Sequence, residues 1–248
     1  MKQKSKKTPR PAPEVLSPLD QADSFRSLLS PAEYDKLLAE LELPLPPSFR
    51  LNPFKTTLDF PARLSAKYGW QLDPVPFCAD GFRVLNASPA SVSATLEHRL
   101  GQYYIQEAAS MLPVELFSSP IVPGELILDL AASPGGKTTH LVSRSADQAL
   151  VLANDSSQGR IQALRIVLQN WGAVNYGITR FPAELFGAWF PEIFDRVLLD
   201  APCSMQGLRT AASHVSRPVT PRESLQLSRR QSAMLLSALQ ALRVGGEV

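Results

Sequence analysis

The stretch Glu125-Leu-Ile-Leu-Asp-Leu-Ala-Ala-Ser-Pro-Gly-Gly-Lys-Thr138 decides the fold. A run of large apolar residues passes directly into small residues, a proline and two glycines, and then into a helix-competent segment ending near Arg144. That order reads as a buried strand over 125–130, a loop, and a helix over 135–144. The pattern then repeats. Ala149-Leu-Val-Leu-Ala153 is a second strand, and Ile161, Leu164, Val167 and Leu168 form a helical stripe that stops at Gly172. Further strands are expected over 175–179 and 194–199, and a long helix over 222–242 ahead of Gly245-Gly246. Strands spaced by helices imply right-handed crossovers and a parallel sheet. Residues 101–248 are therefore read as an α/β doubly wound domain.

Ligands of such sheets bind beyond the carboxyl ends of the strands, where the strand order reverses. The first strand end gives Ala131-Ala132-Ser133-Pro134-Gly135-Gly136-Lys137-Thr138. Its small residues and glycines would let the backbone approach a ligand, and the helix beginning there offers free N–H groups to an anion. Gly136-Lys137-Thr138 satisfies the end of a GxxxxGK[ST] phosphate loop, but that motif requires Gly where Ala131 stands, and Pro134 removes an N–H donor. A GxGxxG fingerprint is absent. The second strand ends in Asn154-Asp155, about 20 residues past the glycine loop, where a carboxylate can accept both hydroxyls of an adenosyl ribose. Asp155 also directly precedes a helix, so a simple helix-capping role stands beside the ribose role. The fourth strand ends in Asp200-Ala201-Pro202-Cys203, a carboxylate and a thiol at the mouth of the sheet.

Upstream the chain is different in kind. Residues 1–20 hold five Lys or Arg against Glu14 and Asp20, with four interleaved prolines. This segment is read as a flexible basic arm, without the apolar core of a signal peptide. Residues 21–100 read as a small α+β module: Ser30-Pro31-Ala32-Glu33 opens a helix with a capping box, Phe49 to Phe54 alternates as a strand, a helix spans 58–68, and a strand spans 81–85. With 44% hydrophobic residues and a net charge of +2, the 248-residue chain is that of a globular protein. No run reaches the roughly 18 apolar residues of a membrane helix. Cys78 and Cys203 are too few for a disulfide framework or a four-ligand zinc site, and His98, His140 and His214 share no ligand spacing. Cys78 is read as a packing residue, and Trp70, Trp171 and Trp189 as core. A reducing, cytoplasmic setting fits. Arg209, Arg217, Arg222, Arg229 and Arg230 against Glu223 alone make residues 207–230 a basic segment suited to phosphate contacts.

Taken together, the strand ends resemble those of the Fmu/Sun-type RNA cytosine-5 methyltransferase family (RsmB/RsmF-like, closer to RsmF). The stretch Leu128–Thr138 is similar to that family's LDLCAAPGGKT loop. Ala153-Asn154-Asp155 is similar to its second motif, Asp195–Ser204 to its DRVLLDAPCS motif, and Tyr103–Ser110 to its YYIQEASS segment. Phe49-Arg50-Leu51-Asn52 resembles its arginine-asparagine strand.

The resemblance implies a Rossmann-like class I methyltransferase sheet behind the α+β module, with S-adenosyl-L-methionine as cofactor. Ala131, Ala132, Ser133, Pro134, Gly135, Gly136 and Lys137 would wrap the cofactor, Asp155 would hold its ribose, Arg160 would close the pocket, and Asp200 would lie by the methionine end and the target base. Asp200 and Cys203 are the implied catalytic residues. C5 of cytosine is a poor nucleophile, so a thiolate first adds at C6; an acid at Asp200 would stabilise charge around N3. Cys203 matches the cysteine that assists enzyme release. The nucleophile is expected in a Thr-Cys or Ser-Cys motif past Val248. The sheet is therefore expected to be incomplete at its C-terminus, and residues 1–248 alone not to complete 5-methylcytosine formation. Arg50, Asn52, Arg209 and Arg217 are the expected RNA-binding residues. The partner is expected to be RNA, ribosomal or transfer, with no membrane, no metal and a monomeric chain. Ala131, Ser133, Pro182 and Met205 depart from the family's usual residues. A non-catalytic RNA-binding or ribosome-assembly factor on the same scaffold is the alternative.

Overall fold

The computed structural model describes residues 22–43, 45–86, 91–118, 120–203 and 219–248. The expected basic arm over 1–20, together with Met205, Arg209, His214 and Arg217, lies outside the described residues. The chain divides into two units, one built from Met1–Leu45 and Ser204–Ser224, the other from Pro46–Cys203 and Leu225–Val248.

In the first unit, helix α1 (Pro31–Glu42) begins as the sequence indicates. The Ser30 side chain accepts from the Glu33 N–H, and the Glu33 carboxylate accepts from the Ser30 N–H at 2.9 Å, closing a capping box with Pro31 at the first helical position. Tyr34 is the buried residue of α1, and its hydroxyl donates to Asp23 at 2.8 Å.

The second unit holds two sheets. Strands β1 (Ser48–Leu51), β2 (Leu72–Pro74), β3 (Gly81–Val84) and β4 (Tyr103–Ile105) form an antiparallel sheet in the order β2-β3-β1-β4. Helix α2 (Phe60–Tyr68) ends at Gly69, whose φ of 69° is the left-handed stop that glycine adopts without penalty. Phe49, Leu51, Phe60, Leu64, Trp70, Val84 and Tyr103 make the core of this sheet. Its fourth strand comes from beyond residue 100, so the sequence boundary expected at 100/101 falls between two strands of one sheet. Helix α3 (Leu96–Arg99) links the two segments, with Thr95 accepting from the His98 N–H.

After helix α4 (Ala108–Glu115), the chain alternates strand and helix: β5 (Leu126–Asp129), α5 (Gly136–Arg144), β6 (Leu150–Asn154), α6 (Gln158–Trp171), β7 (Tyr176–Thr179), the short α7 (Phe186–Trp189), β8 (Phe194–Leu198), α8 (Pro221–Ala241) and β9 (Leu242–Glu247). All pairings in this sheet are parallel, in the order β7-β6-β5-β8-β9. Ile127 and Leu128 on successive positions of β5 enter different clusters. Ile127 packs with Val114, Leu141, Val142, Val151 and Trp171, and Leu128 with Phe186, Phe194, Val197, Met234 and Ala238. A strand covered on both faces has no polar side, which is why β5 reads as a continuous apolar run. The chain leaves β5 toward β6 and β7, then returns to β8 on the other side, so the order reverses beside β5.

Two local readings change. Gly245 and Gly246 lie inside β9, where the register to β8 is irregular and Gly245 takes φ 84°. The Arg196 guanidinium pins this edge by pairing with Glu125 at 2.7 Å and Glu247 at 3.1 Å. Trp70 and Trp171 are buried as expected, but Trp189 is 68% exposed at the end of α7 and meets Phe181 edge-on.

Candidate functional site

The backbone just past β5 is stitched to its neighbours. The Leu130 N–H donates to the Leu198 carbonyl at 2.9 Å, and the Ala132 N–H to the Asn154 carbonyl at 2.8 Å. These bonds carry the strand ends of β5, β6 and β8 to a common edge. The loop then turns through a cis Ser133–Pro134 peptide and Gly135, whose φ is 116°. A Cβ on Gly135 would lie 2.9 Å from Val167 Cγ1, and one on Gly136 would lie 2.8 Å from Tyr104 Cε1. The sequence reading gave both glycines to the close approach of a ligand. In the structure the space a Cβ would take at either position is filled by side chains of α6 and β4, so protein packing alone already requires glycine here, whatever the loop binds.

Asp129, at the end of β5, is a residue the sequence reading did not single out. Its carboxylate is fully buried. The Thr138 hydroxyl donates to Oδ2 at 2.7 Å, while Oδ1 is buried and has no partner among the described residues. Burial raises its pKa to about 6, against the Thr138 hydrogen bond and the nearby Lys137 charge. A polar atom left unsatisfied beside a strand-end loop is a feature of a ligand site rather than of a core. The signal was legible in principle, because Asp129 is the one charged residue in an otherwise apolar strand.

At the end of β6, Asn154 is another residue missed by sequence. Its amide donates to the Leu130 and Phe181 carbonyls, and its Oδ1 accepts from Thr179 and from the Phe181 N–H. It locks the ends of three strands together. Next to it, Asp155 is 4% exposed and its hydrogen bonds converge on Oδ1, from the Ser157 N–H at 2.7 Å and the Arg160 guanidinium at 2.9 and 3.2 Å. Burial opposes its charge, but these donors hold the carboxyl below the usual range. Both readings of Asp155 are compatible with the geometry: Oδ1 supports entry into α6, and the carboxylate also faces the Ser133 hydroxyl of the 131–137 loop. The residues present fit an adenosyl ligand in this respect, with an acceptor carboxylate at the second strand end and an unpartnered oxygen at the first.

At the end of β8, Asp200 is more than half exposed, and Lys137 of α5 reaches it at 2.6 Å. The first and fourth strand ends are thereby joined by an ion pair. Cys203 is exposed, and the turn before it is held by Gln231, whose amide donates to the Pro202 carbonyl at 2.8 Å.

Arg50 and Asn52 require correction as RNA-binding residues, because both are completely buried. The Arg50 guanidinium donates to Thr139 Oγ1 at 2.7 Å, to the Gly136 carbonyl at 3.2 Å and to Ser143, and lies 4.7 Å over the Trp171 ring. The Asn52 amide donates to the Gly101 and Trp171 carbonyls. The polar side of β1 is therefore covered by α5 and α6, and all four of its residues are buried. Alternation in sequence cannot distinguish a face turned to solvent from one turned to hydrogen-bonding protein. Arg209 and Arg217, the other expected RNA contacts, lie outside the described residues.

A parallel sheet with a small-residue loop after its central strand, and carboxylates at the ends of the strands on either side, is the Rossmann-like class I methyltransferase architecture. A methyltransferase homologue from Pyrococcus horikoshii shares it at a TM-score of 0.72 and 30% identity over 93% of this chain and 74% of its own. NSun6 from the same organism, solved with SFG, matches at a TM-score of 0.77 and 18% identity, a likeness of fold. Residues 120–248 match the model of the 16S rRNA methyltransferase RsmB/F family, and residues 18–108 match that of the N-terminal domain of 16S rRNA methyltransferase RsmF. The chain belongs to the RsmB/F methyltransferase family. Relatives named ribosomal RNA small subunit methyltransferase F include one from Pectobacterium atrosepticum, 40% identical over 92% of this chain and 48% of its own length. One from Escherichia coli O157:H7 is 38% identical over 88% and 46%. The chain spans about half the length of the curated relatives it matches.

Proposed function

We propose that this chain carries the cofactor pocket of an enzyme that transfers a methyl group from S-adenosylmethionine to C5 of a cytidine in small-subunit ribosomal RNA. The observation that carries this reading is the set of strand-end carboxylates, Asp129, Asp155 and Asp200, around the 131–137 loop in a member of the RsmB/F family. The named relatives support the ribosomal substrate.

S-adenosylmethionine, when bound, supplies the methyl group. Asp155 would hold the ribose hydroxyls, Arg160, paired with Asp155 Oδ1 at 2.9 Å, would close that side, and residues 131–137 would line the rest. Lys137 positions Asp200 through their ion pair. Asp200, once it carries a proton, would face the base and donate that proton in a hydrogen bond to N3, offsetting the negative charge that develops there when a thiolate adds at C6. That thiolate is assigned to the cysteine of a Thr-Cys or Ser-Cys motif in the full-length enzyme. Cys203 is assigned to release of the methylated base. Arg209, Arg217 and the basic 1–20 arm are the proposed contacts to RNA phosphates, in a cytoplasmic, monomeric enzyme. Among the described residues, no helix is long and apolar enough to cross a membrane.

The test is methyl transfer by the gene product that contains this chain, using unmethylated small-subunit ribosomal RNA and bisulfite sequencing at base resolution. One protected cytidine that disappears with Asp200→Ala is the expected result. Methylation of another atom, or protection unchanged by that substitution, contradicts the assignment.

A further inference from the structure

Away from the strand ends, three side chains that the proposed function does not use meet in the second unit. Cys78 sits in the turn between β2 and β3, Glu115 closes α4, and His140 lies in the middle of α5. One ligand atom from each lies within 4.8 Å of the other two. Cys78 Sγ is 3.9 Å from His140 Nε2, and His140 Nε2 is 2.9 Å from Glu115 Oε1. Cys78 is 1% exposed and His140 2% exposed. Glu115 forms the partly open side.

We propose that Cys78, Glu115 and His140 bind one zinc-class divalent cation, with a water molecule as fourth ligand.

The donor set of sulfur, nitrogen and oxygen is that of zinc sites with three protein ligands. Tetrahedral coordination at about 2.0 to 2.3 Å places neighbouring ligand atoms about 3.3 to 3.6 Å apart. The observed 2.9 and 3.9 Å edges to His140 Nε2 bracket that range, and the Cys78–Glu115 edge lies within 4.8 Å. Glu115 divides its oxygens: Oε1 faces His140, while Oε2 is held by Arg144, the kind of outer partner that fixes a ligating carboxylate. His140 Nδ1 is buried without a partner among the described residues, so it can take the ring proton when Nε2 turns to a cation. Burial raises the Cys78 thiol to about 12 and lowers His140 to about 4. Without a cation the cluster is therefore a neutral thiol and a neutral imidazole beside one carboxylate.

Binding balances simply. The thiol loses its proton to solvent, the imidazole proton moves from Nε2 to Nδ1, and thiolate and carboxylate together neutralise the two positive charges of the ion. The nearby Arg50 repels a cation but also favours the thiolate, as its field lowers the Cys78 pKa. Sequence spacing could not reveal such a site, since the ligands are 37 and 25 residues apart.

The 1–248 chain, stripped with chelator, should be titrated with zinc by calorimetry and with cobalt as a spectroscopic probe. Expected are one ion per chain, release of one proton per ion, affinity rising with pH, and a thiolate-to-cobalt charge-transfer band. Cys78→Ser should abolish that band, while Cys203→Ser should retain it. His140→Gln and Glu115→Gln should each weaken zinc at least tenfold, and they carry the test if Cys78→Ser does not fold. Absence of stoichiometric binding, or equal binding by wild type, His140→Gln and Glu115→Gln, overturns the proposal and leaves the cluster a hydrogen-bonded ion pair only.

Discussion

Asp129 shows how a single residue's environment sets a measurable property. A carboxyl whose pKa is higher in the folded than in the unfolded state binds its proton more tightly when folded. Its contribution to stability is therefore complete below about pH 4 and is lost as pH rises through about 6. A shift of this size corresponds to up to about 3 kcal/mol. Asp129→Asn keeps the shape and an acceptor for Thr138. Urea unfolding at pH 4 and pH 7 should show wild type losing up to about 3 kcal/mol relative to the variant over that interval. A parallel pH dependence in the two proteins would show that the carboxyl is not strained by burial. At this scale the sequence was a partial guide. The positions of Asp155 and Asp200 at strand ends were legible because each follows an apolar run, whereas the burial of Arg50 and Asn52 was not. Their partners, Thr139, Gly136, Gly101 and Trp171, lie 49 to 119 residues away in the chain, and no local pattern encodes that pairing.

Elements were legible where their signals are local. The capping box at Ser30 and Glu33, the αL glycine at 172, and the apolar runs of β5, β6 and β8 all form as their residues dictate. The packing of the glycine loop against α6 and β4 was not, because a glycine pair looks the same in sequence whether or not a protein side chain takes the space beside it. The contact of Gly136 with Tyr104 gives the distinction a test. Gly136→Ala should cost about 1 to 3 kcal/mol by overpacking, and adding Tyr104→Val should recover part of that loss in a double-mutant cycle read by thermal unfolding. Strictly additive losses would place the crowding elsewhere. A tight turn at this point also explains why α5 starts where it does, with Lys137 directed to Asp200 and Thr138 to Asp129 from adjacent positions.

At the scale of the molecule, the reversal of strand order beside β5 collects chemistry from segments far apart in sequence. The 131–137 loop, Asp155 and Asp200 come from three crossovers and meet at one edge because parallel strands share a carboxyl end. Family membership accords with this architecture, and the cofactor pocket is the claim on which the proposed function depends. Calorimetric titration of S-adenosylmethionine into the 1–248 chain, in wild type and Asp155→Ala, tests it most directly. The account calls for one site in wild type and at least tenfold weaker binding in the variant, with both proteins folded by circular dichroism. Equal affinity in the two would contradict it.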